Sequence, residues 1–182
     1  MRHGETKYQV TKSNILYSQK EQFTLSITPR FKKIIKEKAK KLKEKNIDLI
    51  YASDFYRTKQ TAEIVAKELG LKIKLDKRLR DTDFGIFSGE PASKYKAMFF
   101  SKLQRFSKRP PKGESWRDVK KRVVSFLKEV DKRHKNKTIL IVSHADSLWL
   151  LAGFLKGLTE KEMLEQKNPE GIWFDVGRIV FI

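Results

Sequence analysis

Residues 137–155 read KTILIVSHADSLWLLAGFL. The run ILIV is continuous, apolar and mostly β-branched, which suits a strand buried on both faces. Ser143 and His144 interrupt it, and ADSLWLLAGFL continues as an apolar helix. A doubly buried strand that feeds a helix is the unit of a parallel α/β sheet. The same unit recurs upstream. IDLIYAS (47–53) reads as a second buried strand, and DFYRTKQTAEIVAKELG (54–70) as its helix. Ser53 or Asp54 is placed to cap that helix; Ala62, Val65, Ala66 and Leu69 face inward, and Gly70 ends it.

The flanking segments follow the same logic. Phe31, Ile34, Ile35, Ala39 and Leu42 share one helical face and lysines take the other. LKIKLDKRL (71–79) alternates as a strand, and DTDFGIFSGEP (81–91) is a loop. Tyr95, Met98, Phe99, Leu103 and Phe106 predict a helix over 92–106, broken by SKRPPKGES (107–115). A long helix starts near Glu114, with Trp116, Val119, Val123, Phe126, Leu127 and Val130 as its stripe. Thr159, with Glu162 three residues on, caps a short helix in 158–166. GRIVFI (177–182) reads as a terminal strand. These elements predict a three-layer α/β/α sandwich with a mostly parallel sheet, as one domain over 1–182.

Composition narrows the chemistry. The chain has no cysteine, which excludes disulfides, thiolate metal sites and a cysteine nucleophile. No apolar run approaches the ~18 residues of a membrane span, and no secretory signal is visible, so a cytoplasmic location and no membrane partner are expected. The net charge is +19 and the isoelectric point ≈ 10.0, which favours anionic ligands. Lysines on solvated helix faces account for much of that charge, and no zinc-finger or RNA-recognition spacing appears. Nucleic acid is therefore an unfavoured partner but not an excluded one. The sequence does not specify an oligomeric state.

In open α/β sheets, ligands sit beyond the carboxyl ends of the strands. That rule selects residues 53–57, residues 81–85 and His144. Each alone has an ordinary explanation: Arg57 as a solvated helix charge, His144 as a structural histidine, Asp81 as a turn residue. Jointly, and with Arg2-His3, they suit phosphoryl chemistry. Such chemistry is mostly positioning plus cationic stabilisation of the equatorial oxygens. Arg2 and Arg57 carry planar forks that match phosphate. His3 is a candidate nucleophile if one ring nitrogen is neutral and the other has a fixed acceptor. His144 supplies a further donor if protonated.

The blocks RHGET (2–6), ASDFYRTKQTAEIVA (52–66), LRDTDFGIFSGE (79–90), PPKGESWRDVKKRV (110–123) and ILIVSHADS (139–147) together resemble the histidine phosphatase superfamily, the phosphoglycerate-mutase-like group. The resemblance runs from Arg2 to about residue 155. It implies a phosphohistidine at His3 and a phosphate pocket of Arg2, Arg57 and His144, with Gln9 and Ala145 as further contacts. It implies no metal and no cofactor. The proton donor to the leaving oxygen falls at Asp81, where the family often has glutamate. Asp83 and Asp146 are the other candidates.

The chain departs from the family pattern in five places. Gln9 replaces an asparagine, and LSITPRFKK (25–33) lacks the glycine of an LT-x-x-G block. Aspartate at 81 has about 1.5 Å less reach than glutamate. Asp146 stands where a second small residue is usual, and a carboxylate there would repel a phosphate dianion unless turned away. Finally, an apolar strand of about five or six residues is expected before RHG, and only Met1 stands there. That predicts a translation start upstream of Met1 and a first strand truncated in the given chain, which would expose sheet backbone and leave His3 on a mobile end. Mutases of the family carry an adjacent arginine pair, and between Gly89 and Gly113 the nearest feature is Lys108-Arg109. The expected activity is therefore a metal-independent phosphomonoesterase acting on a small phosphorylated metabolite. Lys94, Lys96, Lys102, Lys108 and Lys112 are placed to steer anions. The alternatives are mutase-type phosphoryl transfer, or a weakly active or inactive relative that binds phosphate or nucleic acid.

Overall fold

A computed structural model describes residues 1–166. Three parallel strands, β1 (Leu49–Ala52), β2 (Ile73–Leu75) and β3 (Ile139–Val142), lie in the order β2-β1-β3. Residues 1–3 add a short fourth rung on the far side of β3. Arg2 bridges Ser143 in parallel, Ser143 N donates to Met1 O at 3.0 Å and His3 N to Ser143 O at 3.0 Å. The Met1 amine donates to Ile141 O at 2.6 Å. The RHG segment is thus hydrogen-bonded to the sheet beside β3. The expected terminal strand at 177–182 lies outside the described residues.

Period-two alternation splits the sheet between two helical layers. Ile50, Ala52, Leu140 and Val142 face α3 (Pro29–Leu42) and α4 (Tyr56–Leu69), where they join Ile35, Ala39, Ala62 and Val65 in one core. Tyr51 packs with Phe126 and Val130 of α6 (Trp116–Arg133) on the other face. Beside it, Trp116, Val119 and Val123 meet Leu148–Ala152 of α7 (Ala145–Leu155). The three-layer sandwich predicted from the sequence is the observed architecture. Among the described residues no helix is long and apolar enough to cross a membrane.

Gly70 ends α4 in the left-handed conformation, and Thr159 with Glu162 closes a capping box on α8 (Glu160–Glu165). The cap of α4 is different from that expected. Its N-cap is Phe55, with no side-chain cap, because Asp54 grips the Arg80 guanidinium through both oxygens, at 2.7 and 2.5 Å. The strand expected over 71–79 stops at Leu75, and Asp76 then caps a 3-10 turn, Lys77–Leu79. The helix expected over 92–106 is broken. α5 covers Ala92–Ala97 and a 3-10 helix covers Lys102–Phe106. Tyr95 packs edge-on against Phe84, Phe87 and Phe99, so the aromatic spacing served a local cluster. Two short helices, α1 (Lys7–Val10) and α2 (Gln19–Thr24), were not foreseen.

The excursion that holds α5 is closed at its base. Ile86 N donates to Pro111 O at 3.1 Å and Glu114 N to Asp83 O at 2.9 Å. Gly85 has φ +56°, and a Cβ there would lie 2.0 Å from Pro111 O. Gly4 makes the other close approach. A Cβ at Gly4 would come within 2.7 Å of Ile35 Cδ1 and 3.1 Å of Phe31 Cδ1, inside the α3 core. Gly4→Ala is therefore expected to destabilise the fold by about 1–3 kcal/mol through overpacking, read as a lower urea midpoint at unchanged slope.

Candidate active site

The carboxyl ends of β1, β3 and the residue 1–3 rung bring Ser53, His144 and His3 together. His3 is buried, and its Nδ1 lies 2.7 Å from Gly4 O. That carbonyl can only accept, so Nδ1 carries the proton and Nε2 holds the free lone pair. Gly4 N in turn donates to Thr61 Oγ1 at 3.0 Å, which ties the RHG turn to α4. Burial first, then the charges of Arg57 and Arg2, push the His3 pKa well below its ordinary value. The ring is neutral.

Arg57 is 0% exposed on the first turn of α4. Its guanidinium donates to Gln22 Oε1 at 2.7 Å, to His144 Nδ1 at 3.0 Å and to Asp81 Oδ2 at 3.3 Å. The Tyr17 ring lies 4.3 Å from Cζ, a cation–π geometry. Nε has no hydrogen-bond acceptor among the described residues. His144, also fully buried, accepts from Arg57 at Nδ1, so its proton sits on Nε2 and goes to Ser53 Oγ at 3.0 Å. Burial and Arg57 lower its pKa well below the ordinary value. The extra donor expected from a protonated His144 is therefore not present in this state.

Asp81 stands on the far side of Arg57, with Oδ2 3.7 Å from His144 Nδ1. The shorter side chain reaches the cluster. Its loop is held by backbone carbonyls. Arg122 donates to the carbonyls of Arg78, Arg80 and Asp81 at 2.7, 2.7 and 2.8 Å, Ser143 Oγ donates to Leu79 O and Ser147 Oγ to Arg80 O. Burial raises the Asp81 pKa from its ordinary value, Arg57 opposes the rise and Asp146 adds to it. The net direction is upward, toward a carboxylic acid.

Other expected residues fall elsewhere. Asp146 is turned aside, with Oδ2 accepting from Trp116 Nε1 at 3.0 Å and lying 3.7 Å from Arg105. Asp83 is exposed and accepts from Gly85 N and Gln19 Nε2. Gln9 uses its Oε1 on Thr6 and its Nε2 on the Tyr17 hydroxyl, both at 2.8 Å, so it supports the ring under Arg57. Ala145 opens α7, whose first N–H groups lack helical partners and carry the positive end of the dipole. Arg2 lies close enough for its charge to depress His3. No cluster of metal-ligating side chains occurs among the described residues.

Sequence reasoning missed Gln22 and Tyr17; Ser53 lay within the selected residues 53–57, but its pairing with His144 was not anticipated. Ser18 and Glu21 form a capping box on α2, a pattern present in SQKE that would have placed the helix but not the partner of Gln22. A cavity of about 260 Å³ opens beside the cluster and shares Gln22 and Asp81 with it.

A family model described as histidine phosphatase superfamily (branch 1) matches residues 1–173. Phosphoserine phosphatase 1 of Hydrogenobacter thermophilus is 34% identical over 123 residues, 65% of this chain and 58% of that protein. The chain thus spans about three fifths of the length of that relative. A 2,3-bisphosphoglycerate-dependent phosphoglycerate mutase of Bartonella tribocorum is 28% identical over 145 residues, 73% of this chain and 70% of that one. The solved structure of Bacillus stearothermophilus YhfR superposes with a TM-score of 0.76 at 26% identity, covering 89% of this chain and 80% of that one. The match runs through both buried histidines and Arg57, and the chain belongs to the histidine phosphatase superfamily.

Proposed function

We propose that the protein, as one domain, is a phosphomonoesterase that acts on a small phosphorylated metabolite through a phosphohistidine at His3. The observation that carries this reading is the His3 tautomer. Nδ1 is fixed on Gly4 O and the neutral Nε2 is left with its lone pair. In the proposed first step Nε2 attacks phosphorus and the ester P–O bond breaks. Asp81, as the acid, gives its proton to the leaving oxygen. Water then attacks phosphorus, Asp81 takes a proton from it, the P–N bond breaks, and His3 returns with release of phosphate. Arg2, Arg57 and the N-terminus of α7 at Ala145 hold the equatorial oxygens. A bound dianion raises the His144 pKa and lets it donate as well. Water as acceptor is favoured over a second substrate hydroxyl because the 89–113 segment lacks an arginine pair. The Hydrogenobacter relative, a phosphoserine phosphatase, points the same way.

Two outcomes test this reading. His3→Asn is expected to lower kcat by at least about 10³-fold and to abolish an acid-labile ³²P label on the quenched protein; a labelled His3→Asn protein refutes the assignment. A chain that hydrolyses nothing yet binds RNA in a salt-sensitive way favours the binding-protein alternative. The second outcome is a pH profile. His3 is neutral from below its ordinary value upward, whereas Asp81 must be protonated, so kcat/KM falls as pH rises through the raised Asp81 pKa. Asp81→Asn is expected to remove that limb and to lower kcat about 10²–10⁴-fold on alkyl phosphates. The loss is smaller on p-nitrophenyl phosphate, whose leaving group needs no proton.

A further inference from the structure

Asp146 is a carboxylate at the site to which the proposed chemistry gives no task. It stands at the second position of α7, where the positive end of the helix favours an anion, and its side chain is only 13% exposed. Among the described residues, three donors converge on its Oδ2. Trp116 Nε1 donates at 3.0 Å, Thr82 Oγ1 at 3.4 Å, and an Arg105 guanidinium nitrogen lies at 3.7 Å. Indole and guanidinium groups can only donate, so this oxygen is held as an acceptor and Asp146 as a carboxylate. Arg105 is itself fixed in place. Its Cζ lies 3.9 Å from the Trp116 ring centre and 5.0 Å from that of Tyr95, and its Nε reaches the Tyr95 hydroxyl at 3.4 Å.

Thr82 joins this group to the proton donor. It is buried, its N–H donates to Asp81 Oδ1 at 3.1 Å, and its hydroxyl donates to Asp146 Oδ2. One residue thus links two carboxyl groups whose surroundings differ. Asp81 faces Arg57 at 3.3 Å and His144 at 3.7 Å, with the charge of Arg2 farther off. Arg122 meets the Asp81 carbonyl and pairs with Glu114. Asp146 has the Trp116 and Arg105 donors instead. Two acids placed in unlike surroundings divide their roles, one ionised and one protonated. We infer that Asp146 is a positioning residue for the reaction: it fixes the Asp81 segment through Thr82, and its negative charge keeps the proton on Asp81, while Trp116 and Arg105 hold that charge aside. The direction of the Asp81 shift agrees, since burial raises it, Arg57 opposes the rise and Asp146 adds to it. The inference rests on the assignment of Asp81 as the acid in the phosphatase reading above.

The test is the pH profile of kcat/KM on two esters. Glycerol 2-phosphate has a leaving oxygen that must be protonated, and p-nitrophenyl phosphate does not. Removing a negative charge beside Asp81 favours its ionised form. Asp146→Asn is therefore expected to move the alkaline limb to lower pH. On that limb it lowers the glycerol 2-phosphate to p-nitrophenyl phosphate ratio about three- to tenfold. Arg105→Gln removes a positive charge from the same group and is expected to move the limb to higher pH. A loosened structure would shift both variants alike, whereas an electrostatic role shifts them in opposite directions. On the Asp81→Asn background, Asp146→Asn is expected to change the ratio no further. An unmoved limb in either variant, or shifts of the same sign, overturns the inference and leaves the phosphatase reading standing. If the Asp146→Asn protein does not fold, Arg105→Gln decides, and only a shift to higher pH supports the inference. If Asp146→Asn abolishes the limb and Asp81→Asn keeps it, Asp146 is the donor, and the inference fails together with the Asp81 assignment. If no ester is hydrolysed and no phosphohistidine forms, the phosphatase reading itself fails and this inference falls with it.

Discussion

The organisation of the site depends on one buried cation. Arg57 has no access to water, and an unmatched guanidinium in that setting would be untenable. The protein answers it from four directions: an amide oxygen from Gln22, a ring nitrogen from His144, a carboxylate from Asp81 and the face of Tyr17. Each of these comes from a different segment, so satisfying Arg57 draws together α2, the strand ends and the 78–82 loop. The same charge depresses both histidines and holds down an Asp81 pKa that burial would otherwise raise further. Burial leads in each case, and this one side chain is the next influence on the protonation of three others.

How much of this was legible in the sequence depends on range. Strands β1 and β3 were readable because burial on both faces leaves continuous apolar runs, and the sheet-edge rule then selected Arg57, Asp81 and His144 without knowledge of any contact. Gln22 and Tyr17 were not readable. They lie in a stretch with little periodicity, and their roles exist only through long-range contact with Arg57. Helix 92–106 failed for a related reason. The spacing of Tyr95, Phe99 and Phe106 is helical, but Tyr95 and Phe99 pack on each other while Phe106 packs on Trp116 and Trp149, and Phe100 N is satisfied by the Gln104 side chain, so the backbone need not continue as a helix.

The departures from the family pattern also resolve physically. The carboxylate of Asp146, at the head of α7, is engaged by Trp116 and Arg105. It therefore does not confront an anion directly, although its charge still adds to the upward shift of Asp81. Gln9, in place of asparagine, supports Tyr17 and acts on Arg57 at one remove.

The closed base at Gly85 and Pro111 has a consequence for how such a protein changes over time. The chain leaves and re-enters the domain at adjacent points, fixed by two backbone hydrogen bonds. The excursion between them carries its own aromatic cluster. Lengthening such a loop is thermodynamically gentle, since each doubling adds only about 0.6 kcal/mol of closure entropy. The stretch of the excursion before Arg105 can thus be extended, shortened or rebuilt while Arg57 and its partners stay in place. The fold keeps its chemistry on the sheet edge, holds Arg105 and Phe106 against Asp146 and Trp116, and leaves the rest of the 87–110 loop free to diversify.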